Sequence, residues 1–152
     1  MATRRLAPRE VQPETFAFTA DNENWAAREM AKYPPGRQAS AVIPVLWRAQ
    51  EQHDGWLPEP AMRVVADMLG MAYIRVYEVA TFYTMFQLSP VGKKAHVQVC
   101  GTTPCMLRGS DDVLDACYKR GLRKGHTTED GLFTLTEVEC LGACANAPMV
   151  QI

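Results

Sequence analysis

VQVCGTTPC occupies Val97–Cys105, and CLGAC occupies Cys140–Cys144. Each motif follows a segment that reads as a short strand. In KKAHVQVC (Lys93–Cys100), Ala95, Val97 and Val99 alternate with Lys94, His96 and Gln98, the two-residue repeat of a half-buried strand. LFTLTEVE (Leu132–Glu139) is rich in β-branched and aromatic residues and predicts a second strand, and PMVQI (Pro148–Ile152) begins a third. Cys100 ends one strand and Cys140 ends another, so if the strands are neighbours they bring Cys100, Cys105, Cys140 and Cys144 to one edge of a sheet. GTTP (Gly101–Pro104) and LGA (Leu141–Ala143) are small or turn-forming residues, which let backbone amides approach sulfur and donate hydrogen bonds to it.

Four converging thiolates make a metal site. A 2Fe-2S cluster takes four cysteine ligands, and the C-x4-C element also occurs in plant-type ferredoxins, although the C-x2-C that follows it there is absent here. A structural zinc takes four cysteines at spacings that both pairs satisfy. Thiol redox chemistry or unligated cysteines are the third reading, weakened by the lack of a C-x-x-C pair. Spacing alone leaves all three open. Cys117, the fifth cysteine, stands apart on an apolar helix face and reads as a small core residue.

The helix carrying Cys117 is predicted to start at Ser110 as its cap, with Asp111 and Asp112 in the first turn and a buried stripe of Val113, Leu114, Cys117 and Tyr118. Strand, helix, strand, strand is a small α/β layer. Upstream, the period is helical. Val42, Ile43, Leu46 and Trp47 form one stripe, and Met62, Val65, Ala66 and Leu69 form another. Gly55 caps the first of these helices, LPEP (Leu57–Pro60) starts the second and Gly70 stops it. An earlier helix runs from about Thr19 to Tyr33, where PPG (Pro34–Gly36) ends it. IRVYEVATFYTMF (Ile74–Phe86) is apolar on nearly every side. It reads as a buried helix, or as a helix covered by another protein.

Composition excludes several function classes. The chain has 152 residues, 47% apolar and 22% charged, with a net charge of -1. That leaves no electrostatic footprint for nucleic acid. Up to Val91 there are 9 basic and 10 acidic residues, and from Gly92 onward 7 of each, so neither half is a charged tail. No apolar run approaches the ~20 residues of a spanning helix, and MATRRLAPRE (Met1–Glu10) lacks the apolar core of a secretory signal. The expected organisation is an extension over residues 1–18, a helical bundle over 19–90 and the cysteine-bearing domain over 91–152.

VCGTTPCMLRGS (Val99–Ser110), EVECLGACANAPMVQI (Glu137–Ile152) and RVYEVATFYTMF (Arg75–Phe86) together resemble the peripheral 2Fe-2S subunits of NADH:quinone oxidoreductase, respiratory complex I. The likeness covers about Phe16 to Ile152. It implies an α+β fold, an N-terminal helical bundle followed by a thioredoxin-like 2Fe-2S ferredoxin domain. It also implies that Cys100, Cys105, Cys140 and Cys144 are the four ligands of one cluster. In that family the sheet continues past NAPMVQI, so the domain is expected to be C-terminally truncated relative to its relatives.

The resemblance places the chain beside a flavoprotein subunit that binds NADH and FMN, among other peripheral-arm subunits. Its location would be the cytoplasmic side of a bacterial inner membrane, or the matrix side in a mitochondrion, with no nucleic acid partner and no direct membrane insertion. The chain has no G-x-G-x-x-G after a strand and no P-loop of its own, which fits that division of labour. NADH gives a hydride and a 2Fe-2S centre takes one electron, so a flavin must divide the pair. Alternatives are the equivalent subunit of an NAD-linked formate dehydrogenase or hydrogenase, and a zinc-stabilised assembly scaffold without redox role. Around the cysteines, Glu137 and Glu139 read as a solvated strand face that adds negative charge, and Arg108 as a cation that offsets it. His53, His96 and His126 read as surface or turn histidines, and Trp47 and Trp56 as packing residues.

Overall fold

The computed structural model describes residues 5–152, and the first four residues of the expected N-terminal extension lie outside them. The chain divides into two compact units, residues 1–90 and 91–152.

The first unit is helical. It comprises α1 (Ala20–Met30), a 3-10 turn (Gln38–Ala41), α2 (Val42–Gln52), α3 (Glu59–Leu69) and α4 (Tyr73–Phe82). Thr19 caps α1, its hydroxyl accepting the Asn22 N–H at 3.3 Å, while Asp21 and Glu23 complement the helix dipole. The helix stops at Met30, short of Tyr33, because Ala31 through Tyr33 close into turns ahead of the prolines. In α2 the buried face is Val42, Val45, Leu46 and Ala49, the i, i+3, i+4, i+7 rows of one stripe. Trp47 falls off that stripe, is exposed, and donates its Nε1–H to Glu51 at 2.9 Å, so it is not a core residue. Trp56 is buried. His53, half-buried and edge-on to Trp56, occupies the C-cap position expected of Gly55, whose N–H instead reaches the Gln50 carbonyl at 2.9 Å.

α3 begins after Pro58 and ends at the left-handed Gly70, with Met62, Val65, Ala66 and Leu69 all buried. The segment that follows departs from expectation. α4 covers only Tyr73–Phe82 and buries Val76 and Ala80, whereas Ile74 is 55% and Phe82 77% exposed. Ile74–Phe86 is therefore not one buried helix. The chain turns after Phe82 and returns Phe86 and Leu88 to the core.

Long-range polar contacts tie this unit together. Gln50, buried in α2, donates to the Met85 carbonyl at 3.1 Å and accepts the Gln87 N–H at 2.6 Å, satisfying the backbone of the segment after α4. Gln12 accepts the Glu59 N–H at 2.9 Å, supplying from the N-terminal segment the cap that Pro58 cannot give α3. Ala7 is buried there too, its N–H bonded to the Leu88 carbonyl at 2.8 Å.

The second unit is a mixed sheet of order β2-β3-β1-β4. Its strands are β1 (Ala95–Cys100), β2 (His126–Thr127), β3 (Phe133–Val138) and β4 (Val150–Gln151), with α5 (Thr103–Leu107) and α6 (Ser110–Lys119) between β1 and β2. β1 and β3 run parallel, Ala95 opposite Phe133 through Cys100 opposite Val138. β4 is antiparallel to β1, and β2 to β3. Val97, Val99 and Leu135 on one face pack with Leu114, Val113 and Cys117 of α6. Tyr118, expected in that stripe, is exposed, and Ser110 is the buried first helical residue behind a left-handed Gly109 rather than a side-chain cap. β2 and α5 lie in segments that the sequence pattern leaves as connections.

Gly92 occupies a position where a side chain has no room. A Cβ there would lie 2.6 Å from the Leu132 carbonyl oxygen and from the Phe133 backbone, and its N–H donates to the buried Thr134 hydroxyl at 2.7 Å. Gly92→Ala is expected to destabilise the full chain by about 1–3 kcal/mol in denaturant unfolding, and an unchanged midpoint would contradict this packing.

His96 is neither a surface nor a turn histidine. It lies within β1, its Nε2 2.9 Å from the Thr136 hydroxyl, and burial lowers its pKa from 6.5. The unfolded chain takes up this proton at the ordinary value, the folded chain only at lower pH. The neutral ring's contribution is thus complete above about pH 6.5 and is lost as the pH falls toward the folded value. The pH dependence of unfolding should be shallower below 6.5 in His96→Gln than in the parent, and equal slopes would count against it.

Candidate metal centre

The parallel pairing of β1 and β3 sends both chains out of the sheet at the same edge. Cys100 is the last residue of β1, and β3 ends at Val138, two residues before Cys140. The backbone around Cys100 is held on both sides. Its N–H donates to the Met149 carbonyl at 3.0 Å, just ahead of β4, and the Gly101 N–H donates to the Val138 carbonyl at 2.9 Å. Chain exit and return are thereby locked where the thiols gather.

After β1 the chain forms α5, with Thr102 immediately before it and Pro104 in its first turn, which suits a residue lacking an N–H. This short helix turns Cys105 back beside Cys100. Both are buried, together with Ala147, and Leu141 and Met149 pack around them. Cys140 and Cys144 are exposed, Cys144 opening a 3-10 turn that runs to Asn146. The site therefore has a buried pair and an exposed pair. Cys117 is elsewhere, half-buried against the sheet core under α6.

Backbone amides surround the sulfurs. The N–H groups of Thr102 and Leu141 face Cys100 and that of Met149 faces Cys105, while the Gly142 N–H reaches Cys140 Sγ at 3.4 Å. The Thr102 hydroxyl lies 3.2 Å from Cys100 Sγ, and the Cys100 thiol contacts the Glu139 carbonyl at 3.2 Å. The Thr102 hydroxyl and N–H, assisted by Leu141, pull the Cys100 pKa down to about 7. Burial, then the neighbouring Cys100, push that of Cys105 up, with the charge of Cys144 adding to the rise. Cys105 is thereby held as a thiol beside Cys100, and ligating both as thiolates takes the positive charge that a metal centre supplies.

Among the described residues no three His, Cys, Asp or Glu side chains are grouped tightly enough to hold a single ion. Cys100 and Cys105 are brought together, and Cys144 comes within electrostatic reach of Cys105; Cys140 lies on the same sheet edge without joining that pair. A single tetrahedral zinc needs all four sulfurs on one ion. A two-iron cluster takes two sulfurs at each iron, and the amide N–H···S contacts suit an anionic centre.

Of the other residues singled out, Glu137 pairs with Lys124, and Gly101 packs directly against the Glu137 side chain. Its charge is thereby partly offset. Glu139 takes part through its carbonyl, and its exposed side chain extends from the loop. Arg108 is exposed, and its backbone N–H donates to the Cys105 carbonyl at 3.1 Å. The sequence pattern does not single out Thr102, Leu141 or Met149 as individual contributors. The one signal for Thr102 is a hydroxyl residue two places after a ligand-type cysteine and two before a proline.

Comparison with known proteins adds the family. The profile of the thioredoxin-like 2Fe-2S ferredoxins matches residues 26–152. An E-type subunit of the NADH-quinone oxidoreductase of Rhizobium meliloti is 61% identical across all of this chain, which spans 55% of that protein's length. The E-type NADH-quinone oxidoreductase subunit of Rickettsia conorii is 59% identical over 90% of this chain and 82% of its own length. The Rickettsia typhi subunit of the same name is 57% identical, with 91% and 81% covered. With an α+β fold, a parallel strand pair delivering cysteines to one edge and this breadth of identity, the chain belongs to the thioredoxin-like 2Fe-2S ferredoxin family.

Proposed function

We propose that this chain is an electron-transfer subunit of an NADH-quinone oxidoreductase and holds one 2Fe-2S cluster on Cys100, Cys105, Cys140 and Cys144. The observation that carries the reading is the amide-lined edge of the parallel β1–β3 pair, where the buried Cys100 and Cys105 lie on the same edge as the loop of Cys140 and Cys144. When bound, such a cluster supplies a site that takes up and releases one electron at a time. The residues around it hold that site. Met149 and Val138 clamp the backbone on either side of Cys100. The amides of Thr102, Leu141, Met149 and Gly142 offset negative charge on sulfur. Leu141 and Met149 keep water from the inner pair.

The partner in this reading is the FMN- and NADH-binding subunit, with which single electrons are exchanged. The names of the relatives favour a complex I setting over a formate dehydrogenase or hydrogenase. No described helix is long and apolar enough to cross a membrane, which suits a peripheral place in a membrane-bound complex, on the cytoplasmic side in a bacterium.

Iron, sulfide and zinc analysis with electron paramagnetic resonance of the reduced full chain tests the cofactor. Cys144→Ala should lose most of its iron, whereas Cys117→Ala should match the parent; equal retention would remove the ligand assignment, and stoichiometric zinc without iron would remove the cluster. The partner is tested by adding NADH. The loaded chain alone should stay oxidised and become reduced when the FMN-bearing subunit is added, but not when that subunit has been stripped of flavin. Reduction without flavin would contradict the proposed route.

A further inference from the structure

Thr102 immediately precedes α5, at the place where a threonine ordinarily caps a helix by accepting an amide of the first turn. Its side chain makes no such bond. Pro104, one of the two residues whose amide a cap would use, has no N–H, and the amide of Cys105 is not taken by the hydroxyl. The hydroxyl is directed instead to Cys100, 3.2 Å from its Sγ, and the Thr102 backbone N–H is aimed at the same sulfur.

Donor and acceptor roles follow from proton counting. Cys100 Sγ also contacts the Glu139 carbonyl, which can only accept, so that contact uses the single thiol proton. The Thr102 hydroxyl is then the donor to sulfur. Ligation to a metal removes the thiol proton and leaves the hydroxyl in the same role. Cys100 is only 2% exposed, so water screens this bond little.

We propose that Thr102 is a positioning residue that sets the reduction potential of the centre by donating its hydroxyl hydrogen bond to Cys100 Sγ. The inference rests on the cluster assignment made above. Reduction adds one electron with no bond made or broken, and part of the added charge resides on the ligating sulfurs. A donor aimed at one of them favours the more negative form and raises the potential. β-branching limits the rotamers of Thr102 and helps keep the hydroxyl on the sulfur.

The test is a dithionite titration of the iron-loaded full chain, monitored by electron paramagnetic resonance, in the parent, Thr102→Val and Thr102→Ser. Thr102→Val, which keeps the amide donor and the shape, should load iron normally and titrate lower. The expected shift is on the order of tenfold in the reduction equilibrium, about 59 mV for one electron. Thr102→Ser should restore most of it. A fully loaded valine variant with the parental potential overturns the proposal and leaves the cluster reading intact, whereas absence of iron and sulfide from the parent overturns the cluster reading itself. Where the valine variant loads poorly, Thr102→Ala is titrated in its place. Loss of the cluster from both would make the hydroxyl a requirement for assembly and overturn its role in setting the potential.

Discussion

The parallel pairing of β1 with β3 is the constraint on which the site depends. Parallel strands leave a sheet at the same edge, and joining them takes a crossover of a dozen or more residues, which α5, α6 and β2 supply. Register matters as much as direction. Val99 and Leu135 face Leu114 of α6 within one apolar cluster, while Cys100 joins another with Cys105 and Ala147. A slip of one residue would turn Cys100 toward α6 and expose Val99. The apolar contact that fixes the sheet therefore also fixes which side of it presents the inner sulfur.

Around that edge, folding does different amounts of work for the two cysteine pairs. Cys100 and Cys105 are enclosed by Leu141, Met149 and Ala147, and Cys100 is met by three donors from Thr102 and Leu141. Cys140 and Cys144 are exposed, with Gly142 in a left-handed conformation between them. The inner pair is shaped by the core, and the outer pair by a short loop with fewer packing contacts. Such an edge combines a preorganised half with a more open half.

Much of this was legible in the sequence where a local pattern has a single physical meaning. The alternation at Ala95–Val99 marked β1, the β-branched run after Leu132 marked β3, and Pro58 and Gly70 bracketed α3. The cysteine spacings marked a metal-type edge while leaving the metal open. Elsewhere the local pattern was ambiguous. Trp47 and Val45 are both apolar, and only the packing of α2 against its neighbours decides which of them turns inward. Ile74–Phe86 is apolar on nearly every side, so nothing local marked the break after Phe82 or the exposure of Ile74. β2 is two residues long and exists because β3 is beside it. The roles of Gln12 and Gln50 rest on partners 47 and 35 or more positions away. Thr102 lies in GTTP, which reads as a turn between two cysteines; only the three-dimensional arrangement brings its hydroxyl to Cys100.

The most direct measurement of the central claim is X-ray absorption at the iron edge of the loaded full chain. If two loops at one edge of the β1–β3 pair hold a two-iron centre, each iron must be surrounded by sulfur alone, with a second iron in the next shell. Nitrogen or oxygen in the first shell, or a lone metal ion with no metal neighbour, would contradict it.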